Sequence, residues 1–587
     1  MDRRSFLRAA GVASVGALTA LAGCGSGPTT DTPDRTPTET PTGTPPGQGP
    51  PPTEGTPESE PEPTPQERVP EFDEVVNGVD DLGMDPTGSE PIDDALDEAL
   101  VDGTLLELPP GIYLATERHT LEHLHRWGLR GTGRSRSEVR IVPPEDAGLI
   151  FLNVRSGRDI LVENLTFDVR PGHSQWLSNT FKVSDGLLLS NIEFAGFYAS
   201  EDTGEPIEAG RRVTGPLHVH VTDPDGRGVI DGLVRRGPTH HADYPQGTSC
   251  VFVGPTETVG TVVIRNSHIE NMSSHGIYAS RTRGAVQIEN TLFKNNNGAN
   301  CRFSGPNSYV RNSEIVIDGS DIVPGTTGRV FNSLTGAMWF ESGFRTQAGG
   351  LMENCTIRLK DVPPRIRGVE VDGSAGRTTV RDTTIEIVDS VVRPVDINRP
   401  GQAGARVRTE GSTPEDPRVD LRNVTVTGTA PGPGGGVDIV GRPGSVIENC
   451  RVNITGREVG LSVTDSEGFQ VTGTEIHVSG ESGNGVELVD AEQGGIADSY
   501  IRAPAFPLVV RASGTPQACP VHLTEGTRLE SGNSLLAGSP FIGDASHVAL
   551  RRRNGCLDLR GRLKGGGTVS LATVADSWEE LPVPGPI

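Results

Sequence analysis

Apolar and polar positions recur along most of this chain in a unit that reads [V/I/L/M]-x-[N/D]-x-x-[I/V/F]. Its polar anchor falls at Asn164, Asn191, Asn266, Asn290, Asn312, Asn354, Asp382, Asn423, Asn449 and Asp498, mostly 22 to 28 residues apart. That spacing matches one coil of a solenoid in which short strands stack in parallel on copies of themselves. The third residue after each anchor is large and apolar, as in Phe167, Phe194, Ile269, Phe293 and Ile315, whereas small residues such as Ser267, Thr291, Cys355 and Cys450 follow the anchor directly. Polar residues such as His268 and Glu386 separate them, so the pattern alternates as a strand does. A polar anchor between apolar neighbours predicts an inward turn with a ladder of side-chain amides. The sequon residues Asn164, Asn354 and Asn423 are therefore expected to be buried, and Asn271 and Asn453 to face outward.

A second strand usually starts at glycine: GIYAS from Gly276, GANCRF from Gly298, GAMWFES from Gly336, GVEVDG from Gly368, and GVDIV from Gly436. Aligned on that residue, Ile277, Ala299, Ala337, Val369 and Val437 point inward and their neighbours outward. Runs such as AVQIEN before Asn290 supply a third strand. The prediction is an all-β chain, a right-handed parallel β-helix, with the hand taken from the general crossover rule.

The segment VDDLGMDPTGSEPIDDALDEALVDGTLLELPPGIYLAT from Val79 resembles the entry module of the pectin lyase-like superfamily, in which an acidic turn, a short helix and an LPPGxY strand begin the coil stack. With the repeat, the resemblance covers roughly three quarters of the chain. Ile92, Leu96, Ala99 and Leu100 give the short helix one apolar face suited to capping the first coil. The resemblance implies a fold that hosts lyases, hydrolases, epimerases, adhesins and tailspikes. The NTD, DD, GHG and RIK series of polygalacturonases, the DPHD-type motif of alginate epimerases and the vWiDH pattern of pectate lyases are absent from the sequence; EVD at 370–372 and HG at 275–276 are the nearest echoes. No catalytic role carries over residue by residue.

The termini add a location. Arg3, Arg4, Phe6 and Leu7 precede a short apolar run, which reads as a twin-arginine export signal, and Leu21-Ala22-Gly23-Cys24 resembles a lipobox. Residues 1–24 are thus expected to direct Tat export and to place a lipid on Cys24, anchoring the protein at the outer face of the cytoplasmic membrane. Residues 25–70, nearly all Pro, Thr, Glu, Gly, Ser, Asp and Gln, form a disordered stalk by composition. Residues 71–115 are read as the N-terminal cap and first strand, 116–515 as the β-helix, and 516–587 as C-terminal coils or a cap. A net charge of −25, with lysine only at 182, 294, 360 and 564, resembles the balance of haloarchaeal exported lipoproteins. It excludes nucleic acid and anionic lipid surfaces as partners. Among the cysteines, Cys519 and Cys556 are the candidate disulfide pair.

Candidate chemistry lies on the outward positions of the glycine-initiated strand. Tyr278, Asn300 and Met338 are followed there by Glu370, Asp396 and Asp438, with Arg302 and Asp372 two residues further along their strands. Carboxylates stacked about 4.8 Å apart repel and raise one another's pKa. That suits an acid/base pair for glycoside hydrolysis, or a calcium site at Asp438 with Glu370 and Asp396 that grips an acidic sugar. Glu370, Asp372, Asp396, Arg302 and His275 are the candidate catalytic residues. A histidine-rich excursion between Asn191 and Asn266 offers His240, His241, Asp243 and Tyr244, with Tyr278, for substrate binding. The expected function is to bind and degrade an acidic or neutral polysaccharide, as a lyase or a glycoside hydrolase. The competing reading is a non-catalytic adhesin or envelope scaffold with a hydrated acidic face.

Overall fold

The computed structural model describes residues 69–512, with breaks of which 170–175, 200–214, 402–412 and 430–434 are the longest, and short strands between 522 and 570. The export signal, Cys24 and the stalk fall outside the described residues, as do Tyr244, the Cys519–Cys556 pair and most of 516–587. Within them the chain is a right-handed parallel β-helix. A full coil has three strands, as in Thr261–Arg265, His268–Glu270 and Ile277–Ala279. The two strands flanking each anchor build the ladders of one 30-stranded sheet, and the third builds a 15-stranded sheet that runs along the molecule.

The anchors define this geometry from a position opposite to the one expected. All ten have φ between 47° and 56°, the left-handed region, and most are exposed. Asparagine and aspartate tolerate that conformation because a short polar side chain hydrogen-bonds locally. The anchors therefore sit at an outer corner, and their amides run along it: Asn191 donates to Asn164 (2.8 Å), Asn354 to Asn312 (2.7 Å) and Asn423 to Asp382 (2.7 Å). The ladder is present but faces solvent, which overturns the inward assignment. Asn354, Asn423 and Asn453 are exposed, and Asn271 is the buried sequon asparagine.

Two corners carry glycine instead. Gly232 (φ 74°) follows Asp231, which pairs with Ser190, and Gly473 (φ 59°) follows Thr472, which pairs with Glu448. Reading only Asn and Asp missed both corners. The stretch after Asn191 thus contains a coil of its own, with strands at Leu217–Val221, Arg227–Asp231 and Val234–Arg235.

Inside the coils the third residue after each corner stacks on its neighbours. Phe167 pairs with Phe194 on the next coil, their rings stacked with centroids 5.1 Å apart, and Phe151 of the 15-stranded sheet packs on Phe167 from across the core. The coil stack already includes Glu74–Asn77, which pairs with Thr104–Leu108, and this with Leu124–Gly131. Between the first two strands lies the helix Asp93–Ala99, whose Leu96 and Ala99, with Ile92, are buried in the common core. Trp127 fastens it by donating Nε1–H to the Ala99 carbonyl at 2.9 Å.

Candidate functional site

Strand register decides which side chains meet on the outer face of the 15-stranded sheet. Tyr278 pairs with Arg302, Arg302 with Trp339, Trp339 with Glu370, Glu370 with Asp396, and Asp396 with Asp438. Asn300 and Met338, expected in this column, are displaced from it. The Asn295-Asn296-Asn297 turn is buried, with Asn296 bonded to the Ile269 carbonyl and Asn297 to that of Ala242, so the next strand enters two residues later than its glycine suggests. Gly336 likewise pairs with Arg367, not Gly368, and Met338 turns into the core at 1% exposure.

Arg302 lies at the centre of the face and is fully buried. Its guanidinium is sandwiched between the Tyr278 ring (4.7 Å to the centroid) and the Trp339 ring (4.0 Å), a desolvated cation–π arrangement. Its Nε donates to Glu341 Oε2 at 3.1 Å, and its Nη1 meets His275 Nε2 at 3.2 Å. The other ring nitrogen of His275, Nδ1, lies 3.2 Å from the Ala299 carbonyl. A guanidinium only donates and a carbonyl only accepts, which assigns the His275 proton to Nδ1 and makes the ring neutral. His275 stacks on Tyr278 (5.2 Å, 12°), and the aromatic row continues through Phe252 to His218. Burial pushes the His218 ring down to about 4. The row from His218 to Trp339 crosses five strands, about 19 Å at the parallel-strand spacing.

Beside this row runs a polar one. Continuing the register through Phe303, Phe340 and Val371 aligns Ser280, Ser304, Glu341, Asp372 and Asn398 on successive strands. Glu341, at 1% exposure, is ion-paired with Arg302 and also accepts from Arg281 Nε at 3.4 Å. Asp372 Oδ1 accepts the Ser374 amide N–H at 2.9 Å. Burial raises the Asp372 pKa above the usual carboxylate range, the Ser374 bonds oppose it, and the Glu341 charge adds to the rise while Arg302 opposes it. Trp339 and Glu341 are absent from the sequence-based candidates. Aligning GAMWFES on Phe340 instead of Gly336 would have revealed both.

Glu370, Asp396 and Asp438 do stack on neighbouring strands, but not as free carboxylates. Arg367 ion-pairs with Asp396 through Nε and reaches Glu370 at 3.6 Å, and Arg393 reaches Asp396 at 3.3 Å. The place expected for calcium between Glu370 and Asp396 is thus held by a guanidinium. Among the described residues no group of three His, Cys, Asp or Glu side chains is arranged to hold a metal ion. Burial raises the Asp438 pKa, the Ser462 bond opposes this, Asp396 reinforces it and Arg393 opposes it.

The histidine pair belongs to a different element. His240–His241 forms a two-stranded ribbon with Thr327–Gly328, in which His240 Nδ1 meets Thr327 Oγ1 at 2.9 Å. His241 is buried and pushed down to about 4 by that burial, while Asp243 is exposed and pairs with Arg329 at 3.2 Å. The structure therefore unites His275, Tyr278, Arg302 and Asp372 on one face, continues it with Glu370, Asp396 and Asp438, and places His240, His241 and Asp243 on a neighbouring corner.

No family model matches the chain, and no curated protein matches it. Solved structures do. ORF18 of Geobacillus virus E2 is similar over 65% of this chain and 61% of its own, at 11% identity and a TM-score of 0.34. The catalytic unit of a GH87 alpha-1,3-glucanase from Streptomyces thermodiastaticus strain HF3-3 is similar over 86% of this chain and 71% of its own, at 12% identity and 0.36. PfbA, a surface adhesin of Streptococcus pneumoniae, is similar over 86% and 97%, at 10% identity and 0.29. The chain thus spans about three fifths of the viral protein's length. These likenesses concern the fold.

Proposed function

We propose that this chain is an exported, lipid-anchored protein that binds a polysaccharide along the outer face of the 15-stranded sheet and cleaves it there. The observation that carries this reading is the pairing of two rows on one rigid face. The rims of His218, Phe252 and Tyr278, half-buried, lead to the Arg302–Trp339 stack, and the serines and carboxylates stand alongside. Sugar rings present apolar C–H surface and hydroxyls together, and such a strip offers both an apolar and a hydrogen-bonding partner. The polymer is neutral in this reading, because a chain of net charge −25 repels polyuronates. Anchoring rests on the Cys24 motif, and Cys24→Ala is expected to move the protein from the membrane pellet to the supernatant.

Affinity electrophoresis of the full chain through gels containing neutral glucans, mannans, xylans or galactans tests the binding. Retardation by at least one polymer is expected, and Tyr278→Ala should weaken it by roughly 1 kcal/mol or more, about fivefold in affinity. Migration of the wild type unaffected by every polymer would defeat the reading.

A further inference from the structure

We propose that Glu341 and Asp372 are the catalytic pair of a retaining glycoside hydrolase, Glu341 as nucleophile and Asp372 as acid and base. The proposal rests on the polysaccharide reading above and gives it a reaction. Three observations carry it, and only the first concerns the carboxylates. Glu341 and Asp372 face outward on directly adjacent strands, one ladder step of about 4.8 Å apart. Side chains that rise in parallel from neighbouring strands keep roughly that backbone step between them, which is nearer to the carboxyl separation of about 5–5.5 Å in retaining pairs than to the roughly 6.5–9.5 Å of inverting ones.

The second observation is unspent hydrogen-bonding capacity around the pair. Ser280 and Ser304, each 1% exposed, precede Glu341 in the same row, and neither hydroxyl has a hydrogen-bond partner among the described residues. Arg302 Nη2 lies 3.1 Å from Glu341 Oε2 as an ion-pair contact, but without the alignment of a hydrogen bond. Buried polar groups of native proteins are nearly always satisfied. Three unsatisfied ones in one outward layer define a place for a ligand rich in hydroxyls, such as a sugar ring.

The third observation is that the two carboxyls differ in environment. Glu341 is ion-paired with two arginines, and its Oε1 has only the 3.4 Å contact from Arg281, so a lone pair stays available for bonding to carbon. Asp372 has no such ion pair among its hydrogen bonds. Its Oδ1 accepts the Ser374 amide N–H, and burial raises its pKa, so the neutral form persists to higher pH than in an ordinary carboxylate. One carboxyl held in an ion pair beside a second one held without it is the kind of unlike pair that acid/base glycoside chemistry needs.

In the first step Asp372 gives its proton to the glycosidic oxygen as the bond from that oxygen to the anomeric carbon breaks, and Glu341 Oε1 bonds to the anomeric carbon as an ester. In the second a water attacks the same carbon, its proton passes to the Asp372 carboxylate, and the ester electrons return to Glu341. Water is the co-reactant, and the two residues end as they began. Arg302 and Arg281 orient the nucleophile, and β-elimination plays no part.

The test uses the full chain and the same panel of neutral polysaccharides. Proton NMR of the first products formed by the wild type should show the substrate's anomeric configuration retained, a readout that needs no variant to fold. Glu341→Gln and Asp372→Asn should each lower turnover by about 10²- to 10⁴-fold. An inverted product, full activity in either variant, or a wild type that is retarded but releases no reducing ends overturns the pair while leaving the binding reading intact. A wild type that is not retarded by any polymer overturns both.

Discussion

Asparagine recurs at the coil corners because a chain turning with φ near 50° admits few residues, and a side-chain amide there also bonds to the coil next to it. This was the most legible feature of the sequence, since one residue type at one spacing has one backbone meaning. The side it faces was not legible, because a ladder of amides satisfies itself equally well inside or out. Asn449 separates the two contributions: the next corner is Gly473, so glycine is already tolerated in that environment. Asn449→Val should lower stability by about 1–2 kcal/mol relative to Asn449→Gly, read as a shift of the urea midpoint. Asp372 is the opposite case, a residue whose contribution to stability is negative. Its pKa is raised in the folded chain, so ionisation favours the unfolded state, and stability falls as pH rises from the unfolded value near 3.8 through the folded one. Asp372→Asn should therefore raise the melting temperature at neutral pH, and on the proposed mechanism it does so at the expense of turnover. A variant that melts below the wild type at pH 7 would show that the burial cost is already offset.

At the scale of elements, the helix Asp93–Ala99 was visible as an apolar face with acidic neighbours, but its fastening was not, because the partners are separated by more than twenty residues. His119, 4% exposed, spans Asp97 (2.6 Å to Nδ1) and Asp93 (3.0 Å to Nε2), an arrangement that places a charged imidazole under the helix. Burial alone lowers the ring's pKa, yet the two aspartates outweigh it and raise it above 6.5. The His119 contribution is then fully present below pH 6.5 and is lost as pH climbs through the raised value. Asp93, which burial pushes up and the His119 and Thr116 bonds pull down to about 2, contributes fully above the unfolded value near 3.8 and loses that contribution as pH falls from there through about 2. Amide exchange of residues 93–99 should accelerate as pH rises above 6.5, once corrected for intrinsic rates, and His119→Gln should remove that dependence. The acidic column behaves similarly. It was read correctly as a stack, but Arg367 lies on the opposite parity of its strand and was not seen as the partner. With Arg367 in place, a chelator is expected to leave the melting temperature unchanged; Arg367→Met, which uncovers Glu370 and Asp396, should make it rise with added calcium.

For the whole molecule, the solenoid sets where along its length a polymer can lie. A three-strand coil has no interior site, so any groove must run outside it, and a groove on a stacked sheet is open at both ends unless a terminal element closes it. The strand Gly336–Phe340, which carries Trp339 and leads into Glu341, is the eighth of the fifteen strands in its sheet. Aromatic and histidine side chains extend from it toward Leu217–Val221, and carboxylates extend toward Val437–Val440 and Val486–Val489. A polysaccharide held there has sugar units on both sides of the reacting bond, which favours attack inside the chain over removal of its ends. The viscosity of a polymer solution should therefore fall well before reducing ends accumulate, with oligosaccharides of mixed length as the first products. Release of a single mono- or disaccharide from the first time point would instead require one end of the face to be closed. The sequence could establish that such a face exists, from its repeat alone. The placement of the strand Gly336–Phe340 at its middle depends on the Gly232 coil and the two-residue slip after Asn297, which only the register reveals.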